Sequence, residues 1–231
     1  MEPYQYAYLV GSSVCLLVWL IFFLARKDLR KEMLVMSVLL GGVSVITAHY
    51  WWTVDWWLPT TITGTRIGIE DLIIGFGSGG IMAVAYEEIF KKRLYHFRSK
   101  QLHRPGASTI LLLLAFLTSW LFWGVELTSF WASTLGLAIT ASVLLYFRRD
   151  LFLCGVLSGI LMAVISLVFY FTVILISPEW ISMTYQLQNL SGLFFLGIPV
   201  EEFVFWFLGG LTFGPFYEYW QGERLRNIGK K

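Results

Sequence analysis

The sequence predicts an all-α integral membrane protein of seven transmembrane helices, built as two parallel three-helix repeats joined by a fourth helix. Three observations predict it. Apolar residues make up 57% of the 231 residues and charged residues only 14%, more apolar surface than a soluble domain can hide. Seven apolar stretches each supply about the 20 residues that a bilayer core requires. Finally, segments 67–89 and 198–220 align without a gap at an offset of 131 residues, with six identities in 23 positions. These are Ile67/Ile198, Glu70/Glu201, Phe76/Phe207, Gly79/Gly210, Tyr86/Tyr217 and Glu87/Glu218.

The first span, residues 7–25, carries no charge. The segment before it, Met1-Glu2-Pro3-Tyr4, lacks the basic region of a signal peptide and no small-x-small site follows, so a retained helix is expected. The second span is 33–50 and the third is 67–89, which includes acids. Residues 107–147 are too long for one crossing; Gly124 through Ser129 supplies a turn around Glu126 and divides them into 107–125 and 127–147. The sixth and seventh spans are 151–176 and 193–220. The expected organisation is a single membrane domain over 1–231, with a first repeat at 1–93, a linking helix at 107–125 and a second repeat at 127–224.

Charge distribution checks the count. Basic clusters follow the first span (Arg26, Lys27, Arg30, Lys31), the third (Lys91, Lys92, Arg93, Arg98, Lys100, Arg104), the fifth (Arg148, Arg149) and the seventh (Arg224, Arg226, Lys230, Lys231). With seven spans, 16 of the 17 Lys and Arg residues fall on one side and only Arg66 on the other. The positive-inside rule then puts the N-terminus outside and the C-terminus in the cytoplasm of a multi-pass protein, most simply of the cell membrane. Two three-helix units in parallel need one extra crossing between them, which the fourth span provides. A pseudo-twofold axis along the membrane normal follows.

Carboxylates inside a membrane are costly and are functional candidates by default. Here they come in pairs, Glu70-Asp71 and Glu201-Glu202, each at the start of an apolar span. Gly197-Ile198-Pro199 reads as a helix start, because Pro suits the first turn. A polar cap at the outer interface, near the positive end of the helix dipole, is the plain reading; an acid aimed into the bundle is the functional one. Neighbouring helix residues point about 100° apart, so at most one of Glu201 and Glu202 can face the axis while the other orients its partner. If duplication brings carboxyls together, one can stay protonated while another is ionised. That suits proton donation followed by proton removal. Tyr86-Glu87-Glu88 and Tyr217-Glu218 lie about 24 Å further along their helices. They read as an inner Tyr belt with solvated ion pairs to Lys91 and Lys92.

Other patterns exclude functions. The run Gly75-Phe76-Gly77-Ser78-Gly79-Gly80 is Gly-rich like a nucleotide loop but lies mid-membrane with no strand before it. Its small residues let helices approach or leave room for a ligand. No lysine lies in a span, which excludes a retinal Schiff base. Cys15 and Cys154 lack metal-ligand spacing, and His49, His96 and His103 are too scattered for a multi-His iron site. No metal, no cofactor and no nucleic-acid partner is expected. Trp51, Trp52, Trp56 and Trp57 surround Asp55; they read as an interfacial belt, or as a lid whose aromatic faces stabilise a cation. The basic loop 91–108 reads as topology signal with anionic-lipid contact.

The stretch Gly197-Ile198-Pro199-Val200-Glu201-Glu202-Phe203-Val204-Phe205-Trp206 resembles the P-x-E-E-aromatic signature of the membrane-integral lycopene cyclase domain family, which includes bacterial heterodimeric, archaeal and fungal carotenoid cyclases. The resemblance spans roughly residues 5–220, with both repeats fused in one chain. It implies cofactor-independent closure of the linear ends of lycopene into β-rings, by proton addition to a terminal alkene, ring closure through a carbocation and proton loss. It implies catalytic roles for Glu201 and Glu202, and for Glu70 and Asp71 in the first repeat, and leaves open which carboxyl is acid and which is base; if protonation drives ring closure, Glu201, in the intact motif, and its symmetry mate Glu70 are the expected donors. The first repeat departs from the pattern: Gly68 stands where Pro is usual, Asp71 where a second Glu is usual and Ile73-Ile74 where aromatics are usual.

The expected function is thus a carotenoid cyclase acting on a lipophilic carotenoid or isoprenoid that arrives from the membrane lipid. A membrane terpene cyclase for a shorter isoprenoid or epoxide is the alternative enzyme. A seven-helix transporter or ligand-binding protein is the non-enzymatic one. An acid site open to water on both sides would favour the transporter; a closed aromatic pocket open to lipid would favour the cyclase.

Overall fold

A computed structural model of the chain describes residues 4–96 and 105–227. Arg98, Lys100, His103, Arg104, Lys230 and Lys231, and with them the middle of the expected basic loop, lie outside the described residues. Helix α1 (Tyr4–Ala25) leads through a turn at Lys27–Leu29 into α2 (Arg30–Thr47). A wide π turn at Ala48–Trp52 and the single turn α3 (Thr53–Asp55) extend α2 outward. Next come α4 (Ile69–Ile89), the strand β1 (Lys92–His96), and α5 (Ala107–Ser119) with a π turn at Trp120–Gly124. Then follow α6 (Ser129–Phe147), α7 (Phe152–Ile176), the short α8 (Trp180–Thr184), the two-residue strands β2 (Phe194–Phe195) and β3 (Ile198–Pro199), α9 (Val200–Phe213), α10 (Phe216–Gln221) and β4 (Glu223–Asn227).

Among the described residues six stretches are long and apolar enough to cross a bilayer: Tyr4–Ala25, Lys27–Asp55, Ile69–Ile89, Ala107–Gly124, Ser129–Phe147 and Arg149–Ile176. The expected seventh, 193–220, is not one helix. Leu196 and Gly197 have φ of 54° and 79°, which folds residues 194–199 into a tight hairpin instead of a first helical turn. The helix starts only at Val200. It breaks again at Gly214-Pro215, where Pro removes the N–H that the next turn needs. What remains is a 14-residue helix followed by a six-residue one.

Helix α4 is the most enclosed of the long helices and packs among α1, α2, α7 and α9. Glycine would weaken such a helix in water, but in lipid every backbone group must stay paired, and small residues let neighbours approach. The matched glycines do this in both halves. A Cβ on Gly79 would lie 2.6 Å from Leu40 Cβ of α2; one on Gly210 would lie 2.6 Å from the Ser158 carbonyl oxygen of α7.

The helix ends away from the acids carry a second correspondence. Arg26-Lys27-Asp28-Leu29 and Arg148-Arg149-Asp150-Leu151 each form a turn between two helices with the leucine buried. Arg26 grips Asp28 (2.7 Å) and donates to the Glu87 carbonyl (3.3 Å). Arg148 grips Asp150 (2.8 Å) and donates to the Glu218 carbonyl (3.0 Å). Strands β1 and β4 pair antiparallel with Leu94 opposite Leu225, two residues that are themselves 131 apart.

Among the described residues three apolar clusters fill the bundle. One includes Met33, Met36, Ile81 and Phe216; a second, at the end that holds the acids, includes Tyr8, Phe169, Trp180 and Ile198; a small third one joins Trp51, Leu121, Phe122 and Ala132.

Candidate active site

The N-terminal ends of α4 and α9 hold all four expected acids, and all four are buried. Glu70 and Glu201 do the same job. The Glu70 Oε1 accepts the Ile62 N–H at 2.6 Å, and the Glu201 Oε1 accepts the Ser191 N–H at 2.6 Å. Each carboxylate thereby ties down the loop that precedes its own helix. A charge-assisted bond of that kind is about twice as strong as a neutral one.

Asp71 and Glu202 differ. Asp71 accepts the Gly68 N–H on Oδ2 at 2.9 Å, closing the first turn of α4, and the Tyr8 hydroxyl on Oδ1 at 2.9 Å. The counterpart of Gly68 is Pro199, which has no N–H. Glu202 therefore has no donor at its own helix start and turns its Oε2 to the hydroxyl of Tyr170, with which it makes a short hydrogen bond. The Tyr170 oxygen in turn accepts from the Trp206 indole at 3.1 Å and lies 3.3 Å from the Tyr185 hydroxyl. Oε1 of Glu202 has no close donor, although the Trp56 indole and the Tyr185 hydroxyl lie near the carboxyl. Among the described residues no hydrogen bond links Asp71 to Glu202 directly: Asp71 bonds to the hydroxyl of Tyr8 and Glu202 to that of Tyr170.

Glu202, not Glu201, faces open space. Among the described residues it is the one carboxylate lining a cavity of about 370 Å³ between α2, α4, α5, α6, α7 and α9. The walls are otherwise apolar or hydroxyl-bearing. Trp51, Trp52, Trp56 and Trp57 cap it from above, with Phe205 and Trp206 beside the acid. The Trp56 ring meets Phe205 edge-on at 4.9 Å and Phe130 at 5.3 Å. The four tryptophans thus border the cavity. The segment that carries them is fixed from both sides. Asp55 accepts the Ser129 N–H at 3.0 Å at the start of α6, and its carbonyl accepts from Asn189 at 2.6 Å. Ile46 of α2 and Leu112 of α5 both border the cavity, yet are 53% and 69% exposed. Between those helices the cavity reaches the outer face of the bundle.

Tyr86-Glu87 and Tyr217-Glu218 depart from the expected solvated belt. Glu87 and Glu218 are wholly buried, where α4, α7 and α10 meet. The ion pairs belong to Glu88, which meets Lys91 at 2.9 Å and Arg26 at 3.7 Å. Beside Glu87 and Glu218 lies Cys154, whose Sγ is 3.7 Å from the Glu87 Oε1. The three offer ligand atoms within 4.8 Å of one another, close enough that they could hold a metal ion.

Sequence reasoning passed over Tyr170 and Tyr8. The signal available was one phenol in each of two otherwise apolar spans, since a buried Tyr hydroxyl needs a partner.

A sequence model of the family described as Lycopene cyclase matches the chain over residues 5–89 and 127–220. No curated protein and no solved structure matches it.

Proposed function

The chain belongs to the lycopene cyclase family, and from that premise we propose that it closes terminal β-type ionone rings on a linear carotenoid by acid/base carbocation chemistry, without a cofactor. The observation that carries this reading is Glu202, a lone carboxyl on an aromatic, apolar cavity that opens sideways towards lipid. A site open to water on both sides would have suited a transporter.

Glu202 is the proton donor. Its proton adds to the terminal alkene of the substrate and leaves a tertiary cation. The neighbouring alkene attacks that cation, a carbon–carbon bond closes the ring and the charge moves onto a ring carbon. Loss of a ring proton to the carboxylate makes the new alkene and restores the acid. Atoms and electrons balance, so the reaction is an isomerisation that consumes nothing. The faces of Trp52, Trp56, Phe205 and Trp206 border the cavity and favour positive charge. Tyr170 holds the carboxyl in position. Glu70, Asp71 and Glu201 act from outside the cavity: Glu70 and Glu201 fix the loops, and Asp71 closes the first turn of α4.

The architecture proposed with it has seven spans, α9 and α10 together making the last. The first repeat covers 1–93, the linking helix 107–125 and the second repeat 127–224, in one membrane domain. The N-terminus faces outward and the C-terminus the cytoplasm of a multi-pass cell-membrane protein. Support comes from the two matched segments of the family model, one in each half. The register of Leu94 opposite Leu225 and the paired turns at Arg26 and Arg148 agree with a twofold relation.

The test is expression in a lycopene-accumulating host, followed by assay of the purified protein in liposomes with no added reductant, flavin or metal. Cyclised pigment in both supports the reading. Conversion that strictly requires NADPH or flavin overturns its mechanism, and unchanged lycopene at good expression overturns its substrate.

A further inference from the structure

The fold offers two places related by the repeat, and they differ in size. The cavity beside Glu202 has a counterpart on the opposite side of the α4–α9 pair, bordered by α1 and α7. That counterpart measures only about 20 Å³ against 370 Å³. Helix α1 lies directly on α7 there: a Cβ on Gly11 would fall 2.6 Å from Val173 Cγ1 and 2.9 Å from Phe169 Cε2. Tyr8, one turn before Gly11 on α1, is fully buried and occupies Asp71. On the Glu202 side an extra helix intervenes. Helix α5, which has no repeat partner, supplies Leu111, Leu112, Leu114, Ala115 and Thr118 to the cavity wall.

Resting on the reading of Glu202 as proton donor, we propose that the chain has one reaction chamber, not two, and so closes one end of a two-ended linear polyene per visit. The one-ring product leaves through the gap between α2 and α5, and must return reversed for the second closure. A chamber of this size is at the small end of ligand pockets, about 300–1,000 Å³. It receives one end of a long polyene while the rest lies in the gap and the bilayer. Helix α5, placed between the repeats to restore their parallel direction, is thereby also the element that breaks their equivalence and opens a single chamber.

Two measurements test this with the full chain in liposomes. In the first, labelled lycopene is converted and excess unlabelled lycopene is added during the early phase. Labelled one-ring pigment should appear first, and the chase should suppress labelled two-ring pigment several-fold. Labelled two-ring pigment formed from the start and unaffected by the chase overturns the proposal. No ring product of either kind overturns the cyclase reading itself, which keeps the two failures distinct. In the second, Ala115→Phe narrows the chamber from its exposed α5 wall. Lycopene and purified one-ring carotenoid are supplied separately. With one chamber both closures slow by the same factor. If the first closure slows and the second does not, or the reverse, two sites are at work.

Discussion

At the start of α4, a buried aspartate accepts a backbone N–H from Gly68 and a hydroxyl from Tyr8. At the start of α9, a glutamate finds Pro199 where Gly68 would be, turns to Tyr170 and borders a cavity of about 370 Å³. The acids just before them, Glu70 and Glu201, do not differ: each pins its loop through one 2.6 Å bond. At these two helix starts the same position therefore holds a buried carboxyl, while the missing amide of one proline and the packing around it decide what that carboxyl meets.

The sharpest way to break this comparison is to remove the ionisable proton on each side. Glu202→Gln keeps shape and volume but cannot donate. General acid catalysis contributes about 10²–10⁴-fold, so ring formation should fall by that factor at matched membrane levels, read by pigment chromatography. Asp71→Asn should still make product, and should melt at lower temperature because its bond to Tyr8 weakens. If Asp71→Asn is inactive and well folded while Glu202→Gln cyclises normally, the two sites have been assigned in reverse.

The partner hydroxyls make a smaller version of the same contrast. Hydrogen bonds to charged groups contribute about 1.5–3 kcal/mol, which corresponds to roughly 10- to 150-fold if spent in the transition state. Tyr170→Phe should lower the cyclisation rate within that range and leave the melting point nearly unchanged. Tyr8→Phe should do the opposite, lowering stability with little effect on rate.

Pro199→Gly tests the cause of the difference. It restores an N–H at the helix start, three residues before Glu202, the spacing at which a glutamate reaches back in a capping box. Capping contributes about 0.5–2 kcal/mol. The capped pose should then compete with the cavity-facing one and cut activity by about 2- to 30-fold. The loss should come with a small gain, not a loss, in helix stability. Unchanged activity would mean that Tyr170 alone holds the carboxyl, and that Pro199 is incidental.

Much of this was legible in the sequence because a membrane makes certain residues anomalous. Paired acids and clustered glycines within apolar spans stand out, and Gly79 and Gly210 do bring helices together as expected. Leu193-Phe194-Phe195-Leu196 misleads for the same reason: four apolar residues read as the top of a span, whereas two positive φ angles make them a hairpin. The repeated Arg-x-Asp-Leu turn was open to view, but its copies are 122 residues apart instead of 131, so an ungapped comparison passes over it. Burial of Glu87 and Glu218 beside Cys154 depends on three distant segments meeting, which no local pattern encodes. Nor does any local pattern encode that α1 would seal one side while α5 leaves the other open.

The smallest expected effect concerns the shared feature. Glu70→Gln and Glu201→Gln each keep an acceptor oxygen within reach of the same loop N–H but remove its charge. Neutral bonds contribute about 0.5–1.5 kcal/mol and charged ones about 1.5–3, so each variant should be less stable by about 1 kcal/mol. For a chain of this size that is roughly a 2–4 °C shift in melting temperature, and the two shifts should be alike. Both variants should still cyclise lycopene at a rate near that of the parent, because neither side chain borders the chamber. Should Glu201→Gln fold normally and lose activity as far as Glu202→Gln does, the loop bond is not its whole role. The adjacent glutamates would then work as one unit, and the likeness between the two repeats would end one residue earlier than the hydrogen bonds suggest.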